Sequence, residues 1–270
     1  MRPVNPLVYL PIGFALSVAI GLLAYRRGSL SRSGVAGAVL TGTLHFGFGG
    51  LTWGLTLIAF FLSSPLLGKF RACDKEPVAR QYAKGGRRDF GQTLANGGVG
   101  AALAVAFALH PGAVIFAAFV GATAAVNGDT WATEIGPLAR RPPRLLTTGR
   151  SVPPGTSGGV TAFGTGAALA GAVAIGLVAW ALAAVFGAGV VAGWVPLVAG
   201  IAGLVGALGD SLLGATLQAQ YHDATGALTE RAGATRTRVR GLPWMTNDAV
   251  NFLAALIGAA VGAALGAVFA

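Results

Sequence analysis

Apolar residues run along this chain in long continuous stretches, with neither the period-two alternation of a half-buried strand nor the narrow stripe of a surface helix. The stretches cover about residues 7–24, 34–49, 51–67, 94–109, 111–127, 158–186, 190–218 and 248–269. Most approach the roughly 20 residues with which a helix crosses the hydrocarbon core of a bilayer. A barrel would alternate lipid-facing and lumen-facing positions, and these runs do not. The pattern predicts an all-α polytopic membrane helix bundle of about eight transmembrane helices, forming one integral membrane domain over residues 1–270.

Composition strengthens this reading. Of 270 residues, 54% are hydrophobic, 43 are glycine and 10% are charged, against about 25% charged in a soluble domain; mean hydropathy is +0.69. The formal charge of +10 sits in short segments between apolar runs, as the excess of Lys and Arg on cytoplasmic loops requires, with no motif that reads nucleic acid. Those charges also fix the count. With the doubtful stretch Gly34–Leu67 divided at Gly49-Gly50, basic segments 25–33, 68–93, 128–157 and 219–246 fall on one face, and the other receives only Arg2. Undivided, it would put the first basic segment opposite the rest. Eight spans with both termini outside are therefore expected. The first span lacks a basic leader and a small-x-small cleavage site, so it is expected to stay in the membrane. A lone cysteine, Cys73, excludes internal disulfides. Gly258, Gly262 and Gly266 in the last span, four residues apart, are read as close helix packing.

Polar and irregular sequence gathers on the inner face, so chemistry is expected there. Lys84-Gly85-Gly86-Arg87-Arg88-Asp89-Phe90-Gly91-Gln92, followed by Asn96-Gly97-Gly98, joins cations to glycines whose N–H groups are accessible, which suits a phosphate; charge alone favours an anchor at lipid headgroups. Asp129 and Glu134 end the fifth span. Five residues on a straight helix turn through about 140°, so the two would meet one ion only across a break, and otherwise divide the work, one on a metal and one holding a base or a cation. Asp129 could instead cap a short surface helix. Arg144, Thr147 and Thr148, then Thr156-Ser157-Gly158-Gly159 before the sixth span, suggest an anion site at a helix start, or a turn with Thr156 or Ser157 as cap. Asp210, in Gly209-Asp210-Ser211 inside the seventh span, marks a site, because a carboxylate in a span is costly. His45, within the second span, is expected to bond a neighbouring helix. The chain has no G-x-x-x-x-G-K-[ST], G-x-G-x-x-G or H-E-x-x-H motif, which disfavours a soluble-type nucleotide fold.

Six ordered segments, Ser63-Ser64, LANGG at 94–98, GDTWATEIG at 128–136, PRLLTT at 143–148, VPPGTSGGV at 152–160 and GDSLLGATLQ at 209–218, closely resemble the transmembrane protein 19 family, which includes the plant phytyl-phosphate kinase. The resemblance covers the chain from about residue 30 onward. It departs at Gly128, where the family often has alanine, and at Ser157, where it has asparagine. It implies phosphoryl transfer from a nucleoside triphosphate, CTP in the plant case, to a prenyl monophosphate, giving a prenyl diphosphate such as phytyl or geranylgeranyl diphosphate. The acceptor is already anionic near neutrality, its second pKa being roughly 6, so such a site needs cations and metal-binding carboxylates more than a strong base. Mg²⁺ is the expected cofactor, with Asp129 and Asp210 as its carboxylates, at the cytosolic face of what is expected to be a bacterial plasma membrane. The prenyl tail would lie in lipid between spans. A transporter of an anionic or lipid-linked substrate is the alternative, and an alcohol kinase or CDP-alcohol transferase a third, although the D-x-x-D-G motif of the last is missing.

An internal echo adds one expectation. Asn96-Gly97-Gly98-Val99 precedes Gly128-Asp129-Thr130, and Ser157-Gly158-Gly159-Val160 precedes Gly209-Asp210-Ser211. Two hairpins related by an axis along the membrane normal would bring Asp129 and Asp210 together, with both glycine segments cradling phosphate at span starts.

Overall fold

The computed structural model of the chain describes residues 5–70, 87–222, 228–230, 233 and 236–269. It is mostly helical: α1 (Pro6–Arg26), α2 (Arg32–Lys69), α3 (Phe90–Leu109), α4 (Ala113–Ile135), α5 (Ala162–Phe186), α6 (Val195–Thr216) and α7 (Asn247–Phe269). Local chemistry sets most starts. Asn5 Oδ1 accepts from the N–H of Leu7, Ser31 Oγ from Gly34 and Thr161 Oγ1 from Gly164, each satisfying a first-turn donor that the helix leaves unpaired. Asp89 and Gln92 form a reciprocal capping box at the start of α3.

Among the described residues, seven helices are long and apolar enough to cross a membrane, one fewer than expected. Stretches 34–49 and 51–67 belong to one helical element of 38 residues, α2, interrupted at Gly50 (φ 69°, ψ −162°). A straight helix would hold Ser31 and Ser64 about 50 Å apart at 1.5 Å per residue. Instead Arg88 touches both: its carbonyl accepts from the N–H of Ser31 at 3.0 Å, and its Nη2 donates to Ser64 Oγ at 2.8 Å. α2 therefore doubles back at Gly50. At that fold the Thr52 hydroxyl donates to the carbonyl of Gly187, and Trp53 Nε1 donates to that of Ala188 at 2.8 Å, both just past the far end of α5. The basic ends of α1 and α2 thus share a side, as the charge argument required.

α4 is the central helix, packed against α2, α3, α5, α6 and α7, while α1 lies on α2. Small residues allow this. A Cβ on Gly258 would fall 2.5 Å from the carbonyl oxygen of Gly121, and one on Gly262 2.3 Å from that of Ala117; the glycine spacing in α7 is a packing seam against α4. At the far end, Trp53 stacks on Phe119 with centroids 4.0 Å apart and also meets Phe107 and Phe116. His45 bonds its own helix, with Nδ1 2.7 Å from the carbonyl of Thr41, so the expected link to a neighbouring helix is corrected.

The connections at the near end contain short strands that the apolar pattern could not announce. β1 (Arg144–Leu145) pairs antiparallel with β2 (Gly159–Val160). β3 (Gln220–His222) pairs antiparallel with both β4 (Leu228–Thr229) and β5 (Thr237–Arg240). Of these strands β2 lines the site described below, through Gly159 and Val160.

Candidate functional site

A cavity of about 740 Å³ opens where α4 and α6 end and α3, α5 and α7 begin. Asp129 and Glu134 of α4, Asp210 of α6, Arg88 before α3, Asn96 on α3 and the loop Thr156–Gly159 all line it. Segments more than 120 residues apart in sequence, from Arg88 to Asp210, thus form one polar chamber at one end of an apolar bundle.

The carboxylates separate into two groups. α4 continues unbroken to Ile135, so Asp129 and Glu134 point away from each other, and Asp129 lies inside this long helix rather than capping a short one. Asp129, Asp210 and Glu230 are near enough to interact electrostatically. Asp210 Oδ2 is buried and has no hydrogen-bond partner among the described residues. Each aspartate lies six residues before the last residue of its helix, Ile135 or Thr216, so the two occupy equivalent places in hairpins α3–α4 and α5–α6. Glu134 faces the other way: its carboxylate lies near Gly68 at the end of α2 and interacts with Arg88.

Arg88 is half-buried. Beyond its bond to Ser64, its guanidinium lies over the rings of Phe60 and Phe61. Burial pushes it down to about 10, and the Glu134 carboxylate acts in the opposite direction. It stays charged at neutral pH, a fixed cation at the chamber wall. Its neighbour differs: Arg87 is exposed, lies beside Gly28 and does not line the chamber. Lys84 lies outside the described residues.

The glycine segments are corrected in part. α3 starts at Phe90, so Asn96-Gly97-Gly98 sits in its second and third turns, where the N–H groups belong to the helix; only the Asn96 side chain lines the chamber, with Asn251 Nδ2 3.5 Å from its Oδ1. Nor does Thr156-Ser157-Gly158-Gly159 begin α5, which starts at Ala162 behind its cap Thr161. The segment is instead pinned to the end of α6. Ser157 Oγ donates to Gln218 Oε1 at 2.6 Å, and Gly158 (φ 81°) lies so close to Ala215 that a Cβ would approach its nitrogen to 2.5 Å. The Thr156 hydroxyl donates to the carbonyl of Pro153 at 2.7 Å. Arg144, Thr147 and Thr148 are exposed around β1, with Arg144 Nη1 donating to the carbonyl of Gly149, and none lines the chamber.

Several participants escaped the sequence reading. Arg140, Arg141 and Glu230 line the chamber. Arg240 holds the floor: Nε donates to Gln220 Oε1 at 3.0 Å, Nη1 to the carbonyl of Ala215 at 2.5 Å and Nη2 to that of Ser157 at 3.1 Å, a cation on the orphan carbonyls of a helix end. Behind the site, Ser63 Oγ donates to Asn127 Oδ1 at 2.8 Å, Asn127 Nδ2 donates to the carbonyl of Gly171 at 2.8 Å and Trp131 Nε1 donates to Ser63 Oγ at 3.3 Å, tying α2, α4 and α5. The pairs Arg140-Arg141 and Ser63-Ser64, and Trp131 within the GDTWATEIG segment, were their local signals.

Residues 15–259 match the model of the integral membrane protein family DUF92. The chain belongs to this family. It is the family whose motifs resemble transmembrane protein 19. Over 94% of its length the chain is 32% identical to Protein PGR of Arabidopsis thaliana, covering 94% of that protein. It is 27% identical to an uncharacterized membrane protein of Methanocaldococcus jannaschii over 93% of this chain and 92% of that one. It is also 27% identical to the chloroplastic Protein VTE6 of Arabidopsis thaliana, over 90% of this chain and 69% of that one. No solved structure matches.

Proposed function

We propose that this DUF92 member is a prenyl-phosphate kinase whose chamber opens on the cytosolic side of the membrane. The observation that carries the reading is the meeting of Asp129 and Asp210, from two different helices, in one polar chamber with Arg88 on its wall. The resemblance to the transmembrane protein 19 family, which includes the plant phytyl-phosphate kinase, supports the substrate class. In the reaction, an oxygen of the acceptor monophosphate attacks the terminal phosphorus of the nucleoside triphosphate, the bond from that phosphorus to the bridging oxygen breaks, and a prenyl diphosphate and a nucleoside diphosphate leave. No strong base is needed, because the acceptor oxygen is already anionic.

The residues present fit a magnesium ion. A buried carboxylate oxygen without a partner, on Asp210, beside a second carboxylate is a donor set for a hard cation. Among the described residues no group of three or more His, Cys, Asp or Glu could hold a metal, and Mg²⁺ characteristically takes one or two carboxylates and completes its shell with substrate phosphates and water. Asp129 and Asp210 would hold it, and when bound it neutralises phosphate charge. Arg88 binds and orients an acceptor phosphate, Glu134 holds the Arg88 guanidinium, and Arg140 and Arg141 at the rim attract the nucleotide. The opposite end of the bundle is filled by Trp53, Phe107, Phe116 and Phe119, which favours one-sided chemistry over the alternating access of a transporter.

The deciding experiment gives the purified protein labelled CTP, ATP, GTP or UTP with Mg²⁺ and phytyl or geranylgeranyl phosphate, and separates products by thin-layer chromatography. A labelled prenyl diphosphate, with CTP the expected donor, supports the reading. Faster turnover of free phytol would make it an alcohol kinase, and no product with any donor would remove the enzyme reading.

A further inference from the structure

Arg88 has a second side. The Phe60 and Phe61 rings under its guanidinium, 5.1 and 5.7 Å from it, belong to the wall of a separate cavity of about 70 Å³ between α1, both halves of α2 and α3. That cavity is mostly apolar, walled also by Ile20, Phe46, Leu57 and Ile58, with the Ser17 and Thr41 hydroxyls in its lining. Arg88, Gln92 and Asn96 line both this cavity and the polar chamber. The two spaces therefore meet at one cation.

That junction has the polarity of an amphiphilic phosphate monoester. Stacking on aromatic rings fixes the guanidinium plane and leaves its N–H donors at the edge for phosphate oxygens, while the rings extend an apolar surface away from it. A mostly apolar cavity gains from hydrocarbon that fills it. Size limits the occupant further. On the scale where one water needs about 10–15 Å³, this space takes about five to seven such groups, the bulk of one isoprene unit rather than a twenty-carbon chain. α1 rests on α2 with apolar side chains such as Leu16, Leu22 and Leu23 exposed outward, so the wall that α1 gives the cavity has its outer face turned toward lipid.

We propose that this pocket takes the first isoprene unit of the acceptor, the five carbons next to its phosphate, with the phosphate on Arg88 and the remaining chain leaving past α1 into the bilayer. The proposal rests on the kinase reading for the identity of the lipid. It makes selectivity act on the first unit and leaves chain length beyond it nearly free.

The test uses the whole protein in lipid nanodiscs and a prenyl monophosphate carrying a diazirine in its first five carbons. Photolabelling should fall on α1, α2 and α3 residues of the pocket wall and be competed by geranylgeranyl phosphate. Ala38→Phe, which fills the pocket, should cut labelling at least tenfold and raise KM for geranylgeranyl phosphate at least tenfold, with KM for the nucleotide within twofold. If that variant fails to fold, Leu57→Ala, which enlarges the pocket, should raise kcat/KM for benzyl phosphate relative to geranylgeranyl phosphate several-fold. Labels confined to other helices, an unchanged KM in a folded Ala38→Phe protein, an unchanged acceptor ratio in Leu57→Ala, or a steep dependence of kcat/KM on chain length between ten and twenty carbons would overturn it. Wild-type protein that labels in the pocket yet forms no diphosphate with any nucleotide would remove the kinase reading and keep the lipid-phosphate pocket.

Discussion

Asp129 and Asp210 can share a cation only while both are ionised, so replacing either carboxylate with the isosteric amide should remove charge without changing shape. Asp129→Asn and Asp210→Asn should each lower single-turnover transfer from labelled CTP by at least about 100-fold, in the range for losing one electrostatic group at a reacting phosphate, while size-exclusion elution stays unchanged. Arg87 and Arg88 were indistinguishable as a charge run and are unlike in place. Arg88→Ala should cost about 10- to 100-fold in kcat/KM for the prenyl phosphate, the worth of one charge-assisted contact, whereas exposed Arg87→Ala should stay within about twofold. The pH profile follows from Arg88, whose burial brings it down to about 10. Acceptor use should therefore be flat between pH 7 and 9 and fall through about pH 10, and Glu134→Gln should move that fall to lower pH, since Glu134 is the group that raises it. Unfolding would not explain the fall: above about 10 and below the ordinary arginine range the folded state holds fewer protons on this group than the unfolded one, so its contribution to stability rises with pH there. A profile unchanged in Glu134→Gln would disconnect the pair.

At the scale of elements, α2 carries the sharpest local requirement. Gly50 is buried and adopts φ 69° with ψ −162°, a region essentially reserved for glycine, where other residues cost of order 1–3 kcal/mol. Gly50→Ala should therefore destabilise the protein by about that amount, seen as a lower apparent Tm in detergent, whereas Gly166→Ala in α5, whose Cβ would meet nothing within 4 Å, should leave Tm unchanged or raise it slightly. The glycine pair was readable as a dividing point because glycine is the residue that lets a helix turn back. What the pattern could not tell was that helical geometry continues on both sides with one residue's interruption. The helix starts behaved similarly. Asp89 with Gln92 is a capping box in plain sight, yet weighting the apolar run placed the start of α3 four residues late, and with it a phosphate cradle that the helix had already used for its own hydrogen bonds.

For the whole molecule, the arrangement requires residues near the chamber and residues at the far turns to face opposite compartments. In a Cys73→Ser background, Arg141→Cys and His110→Cys, both exposed positions, should react with a membrane-impermeant thiol reagent from opposite sides, Arg141→Cys from the cytosol. Labelling of both from one side would refute the placement of the site. Sequence by itself determined that this chain is a membrane helix bundle with its polar and basic sequence gathered between the apolar runs, because hydrocarbon demands long apolar helices and topology demands asymmetric charge, and both demands are met residue by residue along the chain. It also marked Asp129 and Asp210, since a carboxylate in an apolar run is conspicuous without any neighbour. The tertiary structure alone decided which groups meet. Arg88 came to Ser64 and Glu134, and Ser157 went to Gln218, because α2 folds back and because the loop before α5 docks on the end of α6. Such encounters depend on distances through space between segments far apart in the chain, and no local pattern of residues encodes them.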